Sequence, residues 1–587
     1  MPSDPSLAST ATVSGSNAID RWRATLGERW PVLVLGGLLA LLVLPPLFLL
    51  LQGSVTVARA RGAPSRLSLE HFAALFSQRG FAASLANSLV FAAGSAAMAL
   101  LIGGVNAWIA ERTNAPFRPL AYLTTIISLG TPYVLYVGAW LLLLNRSGPI
   151  NSAWRDLTGA SGVLINVYSQ AGMILIEGLL WSPLVFLLLG AVFRNANLDY
   201  EDAARMSGAG GASLLRRVTL PLALPAVAAV ALLVFIRALE AFEVPALVGL
   251  PGKVYVLTTD VYEAMHATSP PDLGRASALS VLLLVIVAVL LSFYSRLLRN
   301  AERFATITGK GYRPRVIDLG RWRGLAGAVL VANFVLLLVL PATILIWASL
   351  LPFYRSFRWS GLALLTLDNY RAVLATPRYL DLLANTLLVS TTTATVVMAL
   401  TSLAAWLTVR KSPGAWLLDQ LAMIPLVFPG IVLAVGVMQL FLALPIGIYG
   451  TVAIIAWALI ISTLPYGTRY AVSGMLMIHR ELEEAAAISG AGTAMTFRRV
   501  VWPLLAPALA AGWLFVFLLA SRVLSVPILL SGPSSQTMAV AMFDLWSNGQ
   551  TPELAALGLI WTLAMTIVAV VFYTLAQRSG GGVHGQT

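Results

Sequence analysis

Two stretches of this chain hold side chains that could orient a partner. Glu201-Asp202-Ala203-Ala204, Gly208 and Arg216-Arg217 recur 282 positions later as Glu483-Glu484-Ala485-Ala486, Gly490 and Arg498-Arg499, and each block ends in Pro (Pro221, Pro503) where an apolar run begins. Each copy reads as a short helix with an acidic first turn, Ala where a neighbour can approach closely, and Gly where the chain bends sharply. The chemistry these residues suit is docking, because carboxylates and guanidiniums orient a partner through charge-assisted hydrogen bonds. A second set sits inside apolar runs: Glu177, Arg237, Glu240, Glu243 and, at the register of Glu240 in the later copy, Arg522. An ionised group inside a membrane span costs roughly 2.5–3.5 kcal/mol on insertion scales, so it faces a cavity or a counter-ion. Two readings stay open. Either Glu240 pairs with Arg237 or Arg522 and locks the structure, or these charges line the route of a solute or its gate.

No nucleophile, base and orienter stand at a spacing that supports an enzyme. His71, His266, His479 and His584 are scattered without a ligand partner at helical spacing, and cysteine is absent, so no metal site is expected. Neither Gly-Lys pair makes a phosphate-binding loop. Gly309-Lys310 has Phe304 where the first Gly belongs and Gly311 where Ser or Thr belongs, and Gly252-Lys253 fails at Leu247 and Val254. No cofactor is expected on this chain. Tyr133 and Tyr136, near Pro132, which is expected to kink its span, could touch a solute or anchor at the membrane interface.

The elements that position these residues follow from composition. Charged residues make up 11% of the chain and hydrophobic ones 58%, against about 25% charged in a soluble domain, and the mean hydropathy is +0.83. A helix crosses the hydrocarbon core with roughly 20 apolar residues, and about twelve such runs are present. The formal net charge of +13 sits in short segments between these runs, which points to topology and away from nucleic acid. The reading is an all-α polytopic membrane protein. A Ser/Ala/Thr-rich tail, 1–29, is expected to lack structure for the most part. The first half, 30–298, has spans near 30–51, 86–110, 120–144, 171–195, 221–247 and 276–298. Pro45-Pro46 are expected to kink the first span, a retained anchor, and an amphipathic loop is expected over 52–83. A basic linker, 299–323, leads to the second half, 324–577, with spans near 325–350, 384–408, 416–443, 449–475, 503–529 and 554–576, and a tail at 578–587.

Residues 296–323 carry eight Lys or Arg against Glu302 and Asp318, which places the linker in the cytoplasm, and with it both cassettes and both chain ends. Arg59, Arg61, Arg66 and Arg79 argue mildly the other way, but a loop that long carries less topological weight. Asn87 and Trp108 match Asn385 and Trp406 at a spacing of 298, whereas Pro183, Pro221, Pro225 and Pro245 match Pro465, Pro503, Pro507 and Pro527 at 282. The difference, 298 − 282 = 16, is an insertion in the loop 145–170 relative to 445–450. Six spans per copy is even, so the two repeats run parallel, related by an axis along the membrane normal.

The cassettes resemble the EAA motif of permease subunits of binding-protein-dependent ABC importers: acid-Ala-Ala, three residues, Gly, nine residues, an aliphatic, one residue, Leu-Pro. The first copy matches as Asp202-Ala203-Ala204, Gly208, Val218 and Leu220-Pro221, and the second as Glu484-Ala485-Ala486, Gly490, Val500 and Trp502-Pro503. Asp202 and Trp502 are mild departures. The resemblance implies the type I importer permease (MetI-like) fold of two six-helix bundles in a bacterial inner membrane. It implies coupling helices seated on two copies of a cytoplasmic ABC ATPase that hold ATP and Mg, and a periplasmic binding protein that delivers the cargo. It implies an outer mouth near Val244–Gly249 and Val526–Gly532. The fused arrangement and the linker stretch 307–315 further resemble the iron(III)-type permeases, relatives of polyamine, thiamine and phosphonate importers. An ion-gradient-driven secondary transporter and a membrane-embedded transferase or scaffold are the rival readings.

Overall fold

A computed structural model describes residues 16–57, 66–194, 220–302, 316–357 and 359–580, together with 204, 206–208, 213 and 215–219. Glu201, Asp202, Ala203 and linker residues 303–315 lie outside the described residues. In hydrocarbon the backbone must satisfy its own hydrogen bonds, so the apolar runs become helices. Ten helices are long and apolar enough to cross a membrane, and two further pairs are bent, giving up to twelve spans among the described residues. The first span belongs to a helix, Ser16–Val55, that runs unbroken through Pro31, Pro45 and Pro46. The expected tail is therefore partly helical. The expected loop 52–83 is built: an antiparallel hairpin of Thr56–Val57 with Arg66–Leu67, a short helix Glu70–Ser77, and a second span that already starts at Phe81.

The third span of each half departs from expectation. Arg118–Ser128 meets Tyr133–Thr158 at 115°, and Trp416–Val427 meets Gly430–Ala443 at 108°. Pro132 (φ −60°, ψ 137°) and Pro429 (φ −54°, ψ 143°) stand extended at the two corners, each as the N-cap of the helix that follows. A proline has no N–H for the preceding turn and pushes its predecessor out of helical geometry, so these are natural break points. The fifth spans are also shorter than expected. Their helices end at Glu240 and Arg522, and short segments Pro245–Gly249 and Pro527–Leu530 follow.

Within each half the second span packs on the fourth and fifth: Phe81–Arg112 on Gln170–Arg194 and Leu220–Glu240, and Pro377–Val409 on Val452–Leu476 and Trp502–Arg522. Glycine sets the closest approach, since a Cβ on Gly103 would lie 2.4 Å from the Ser182 carbonyl oxygen. Each first span packs on the sixth of its own half, Ser16–Val55 on Leu273–Glu302 and Leu340–Ser349 on Thr551–Gly580, and also crosses to the other half. Ser16–Val55 packs on Trp416–Met423 and Gly430–Ala443 of the second half, and Arg323–Phe334 with Leu340–Ser349 packs on Arg118–Gly130 and Tyr133–Leu144 of the first.

The matched Asn residues pin the segment after each fifth span. Asn87 Nδ2 donates to the Tyr255 carbonyl (3.1 Å), and Ser88 Oγ accepts the Leu257 N–H (2.9 Å). In the second half Asn385 Nδ2 donates to the carbonyls of Ser534 (3.0 Å) and Gln536 (3.1 Å), and Thr386 Oγ1 accepts the Met538 N–H (2.8 Å). The inserted loop has its own scaffold. Buried Asn151 donates to the carbonyls of Leu144 (2.7 Å), Asn145 (3.1 Å) and Ile165 (3.1 Å), and accepts the N–H groups of Leu164 (2.8 Å) and Ile165 (3.2 Å). Asn151→Ala strands several backbone groups at about 1 kcal/mol or more each. Trypsin should then cut at Arg146 or Arg155 at least tenfold faster, and an unchanged digestion rate would show that the insert is held some other way.

Candidate functional site

The second cassette is a helix, Glu481–Ile488, with Glu481, Glu483 and Glu484 in its first turn, where carboxylates complement the helix dipole. Gly490 closes it at φ +81°, and Gly208 stands at φ +83° at the same place in the first copy. That left-handed turn is the reason for glycine at both positions. Each cassette then passes through a five-residue π turn, Leu215–Thr219 and Phe497–Val501, whose arginines, Arg216-Arg217 and Arg498-Arg499, are exposed. Ala485 is exposed; Ala486 and Ala204 are half-buried.

The two adjacent glutamates face different ways. Glu484 is 58% exposed and pairs with Arg480 at 3.1 Å, also in solvent. Glu483 is 14% exposed and turns inward: Arg410, itself 19% exposed, donates to it through Nε (2.7 Å) and Nη2 (2.6 Å), and Trp406 Nε1 donates at 2.9 Å. Arg410 Nη2 also donates to the Ile478 carbonyl at 3.0 Å. Glu483 therefore fastens the cassette to its own second span and leaves the outward face to Glu484. Sequence reasoning placed the two together. It also passed over Met206 and Ile488, register mates 282 apart that are 85% and 89% exposed; an apolar residue kept in both copies of a polar cassette was the available signal.

Away from the cassettes the structure brings all five span charges to two adjoining cavities of about 170 and 240 Å³. Tyr133, Trp181, Arg237 and Tyr466 belong to both walls. Glu177, Glu240 and Glu243 join Arg237 on the first cavity, and Arg522 joins it on the second. Arg237 Nη1 donates to Glu240 Oε2 at 2.8 Å, three residues along the same helix, so this pair does not bridge the halves. The bridges are others: Arg237 lies 6.0 Å from the Tyr466 ring centre, Arg522 lies 4.6 Å from that of Tyr133, and Glu243 Oε1 accepts the Leu524 N–H at 3.4 Å. Glu177 Oε1 accepts Trp181 Nε1 at 2.7 Å. Both broken spans reach the cavities, through Thr131 and Tyr133 in one half and Phe428 and Gly430 in the other. Non-helical backbone at membrane depth is tolerated where it lines such a space. Among the described residues no three of His, Asp and Glu come together as metal ligands.

Residues 99–303 match the family model described as "Binding-protein-dependent transport system inner membrane component". A ferric transport system permease protein of Actinobacillus pleuropneumoniae is 27% identical over 448 residues, 75% of this chain and 63% of that one, so the match spans a little under two thirds of that relative. A probable ABC transporter permease protein of Sinorhizobium fredii is 28% identical over 69% of this chain and 72% of its own length. A spermidine/putrescine transport system permease protein of Haemophilus influenzae is 29% identical over 32% of this chain and 71% of its own. The helical repeats and paired cassettes agree with these matches: residues 99–303 are similar to the binding-protein-dependent inner membrane component, and the same cassette-bearing plan recurs in the second half of the polypeptide.

Proposed function

We propose that this chain is the solute-conducting subunit of an ATP-driven importer whose motor is a separate cytoplasmic ATPase, one copy under each cassette. The observation that supports it most is the pair of matching cassettes, each with the same glycine turn and exposed apolar residue, offered to solvent at one end of the bundle. A periplasmic binding protein would deliver cargo at the other end, beside Val244–Gly249 and Val526–Gly532. Closure of the ATPases draws the cassettes together, the fourth and fifth spans turn with them, and the cavities exchange one side of the membrane for the other. Chain ends and cassettes are then cytoplasmic. Because the chain has no cysteine, Ser489→Cys gives a single thiol that a membrane-impermeant maleimide should label only from the cytoplasmic side; labelling from outside would overturn the orientation.

The cargo we favour is iron(III) or its chelate. One relative matched over 75% of this chain is a ferric transport permease, and the first cavity holds three carboxylates against one guanidinium, which suits a cation. A polyamine meets the same charge condition, and one relative is a polyamine permease. Proteoliposomes holding the permease, its ATPase and its binding protein should accumulate radiolabelled iron(III) only with ATP, and Glu243→Gln should lower that rate at least fivefold. Labelled spermidine accumulating in place of iron would change the cargo. Uptake driven by an ion gradient without ATP would sink the proposal itself.

A further inference from the structure

On the face opposite the cassettes the first half contains a polar cavity of about 310 Å³, between the start of its second span and the segment after its fifth. Arg79, Lys253 and Arg275 line it with Asp260 and Glu263. Among the described residues no ion pair within 4.0 Å involves any of these five. The Nε of Arg275 is buried without a hydrogen-bond partner, and a buried guanidinium donor left unpaired is costly. Burial pushes the Asp260 carboxyl above its ordinary value, against the opposing pull of Ser84 and of the Arg275 charge nearby.

The duplication supplies an internal control. The frame is common to both halves, since Asn87 and Ser88 pin the first as Asn385 and Thr386 pin the second. The cations are not. Arg79 corresponds to Pro377 at the 298 register, Lys253 to Ser535 at 282, and Arg275 to Ala556 at the 281 that relates Pro271 to Pro552. In the second half Ser535 Oγ donates to the Gly450 carbonyl at 2.7 Å and accepts the Gly532 N–H at 2.8 Å, and Arg378 Nη2 donates to Gln536 Oε1 at 3.0 Å. That half closes the place with its own hydrogen bonds, whereas the first leaves three cations around open space. Packing alone would not call for them.

We infer that this cavity binds the oxygens of a multivalent anion, a phosphate or a polycarboxylate, with Arg275 at its base and Arg79 and Lys253 at its rim. The test uses the full chain in lipid nanodiscs, titrated with inorganic phosphate and with citrate against sodium chloride at matched ionic strength, and read by calorimetry and thermal unfolding. Saturable binding is expected, weakened at least tenfold in Arg275→Gln and at least threefold in the exposed-site variant Arg79→Gln, which keeps the result readable if the Arg275 variant folds poorly. If phosphate and citrate do not bind but the binding protein loses at least tenfold affinity for both variants, the anionic oxygens come from that protein's acidic side chains. If neither small anion nor binding protein distinguishes the variants from the native chain, the inference is wrong. ATP-dependent uptake is a separate readout, so failure here leaves the proposed function standing.

Discussion

Glu483→Ala should reduce uptake at least tenfold while the reconstituted complex still hydrolyses ATP. The substitution leaves Arg410 without its carboxylate at a site only 19% exposed, a loss of about 3 kcal/mol at the lower end of the range for breaking a buried pair. It also strips Trp406 Nε1 of its acceptor. The cassette would still meet its partner through Glu484, Ala485 and Ile488, so the ATPase should co-purify, but its movement would no longer reach the second span. The exchange Glu483→Arg with Arg410→Glu should restore part of the uptake. Glu484→Lys should do the reverse. Its pair with Arg480 is solvated and worth under about 1 kcal/mol, so the fold should persist while docking of the ATPase is lost. If Glu483→Ala loses the ATPase as Glu484→Lys does, the division of roles between the two glutamates is wrong.

The second large effect is expected at Gly490. Its φ of +81° cannot be adopted by proline, whose ring holds φ near −65°. Gly490→Pro must therefore redirect the chain where the cassette turns back towards the fifth span, and uptake should fall to background with insertion unaffected. Nothing lies within 4 Å of the position a Cβ would take, so Gly490→Ala meets no clash and costs only the left-handed backbone, about 1–2 kcal/mol. A graded series, native above alanine above proline, measured as ATP-dependent uptake per inserted molecule, is the expected outcome. Native uptake in the proline variant would remove the coupling role from the cassette.

Much of this architecture is legible before any coordinates, because a polar, repeated segment stands out in an apolar chain and runs of apolar residues mark the spans. The five span charges are legible as a set, since each is expensive in lipid and so must converge on something. Their pairing is legible only as alternatives: of the two partners open to Glu240, the structure takes Arg237 on the same helix, and that pair does not bridge the halves. Pro132 is legible as a kink but not as a 115° break, the break at Pro429 is hidden by apolar sequence on both sides, and prolines at 183, 225, 465 and 507 sit inside continuous helices. The inward turn of Glu483 depends on a residue 73 positions away. A trace of it was present: Trp108 and Arg112 recur as Trp406 and Arg410 at one spacing, four residues apart on one helical face, as Glu201 recurs as Glu483 at the other.

The crossing first spans bear on biogenesis. As the amino-terminal bundle leaves the ribosome, its leading helix finds only part of its seat, on Leu273–Glu302, because Trp416–Met423 and Gly430–Ala443 are still untranslated. The seat that bundle offers on Arg118–Gly130 and Tyr133–Leu144 is likewise vacant until the distal helix arrives. Neither portion made alone would fully bury its apolar flanks, so a single gene product guarantees the one-to-one supply that such mutual completion demands.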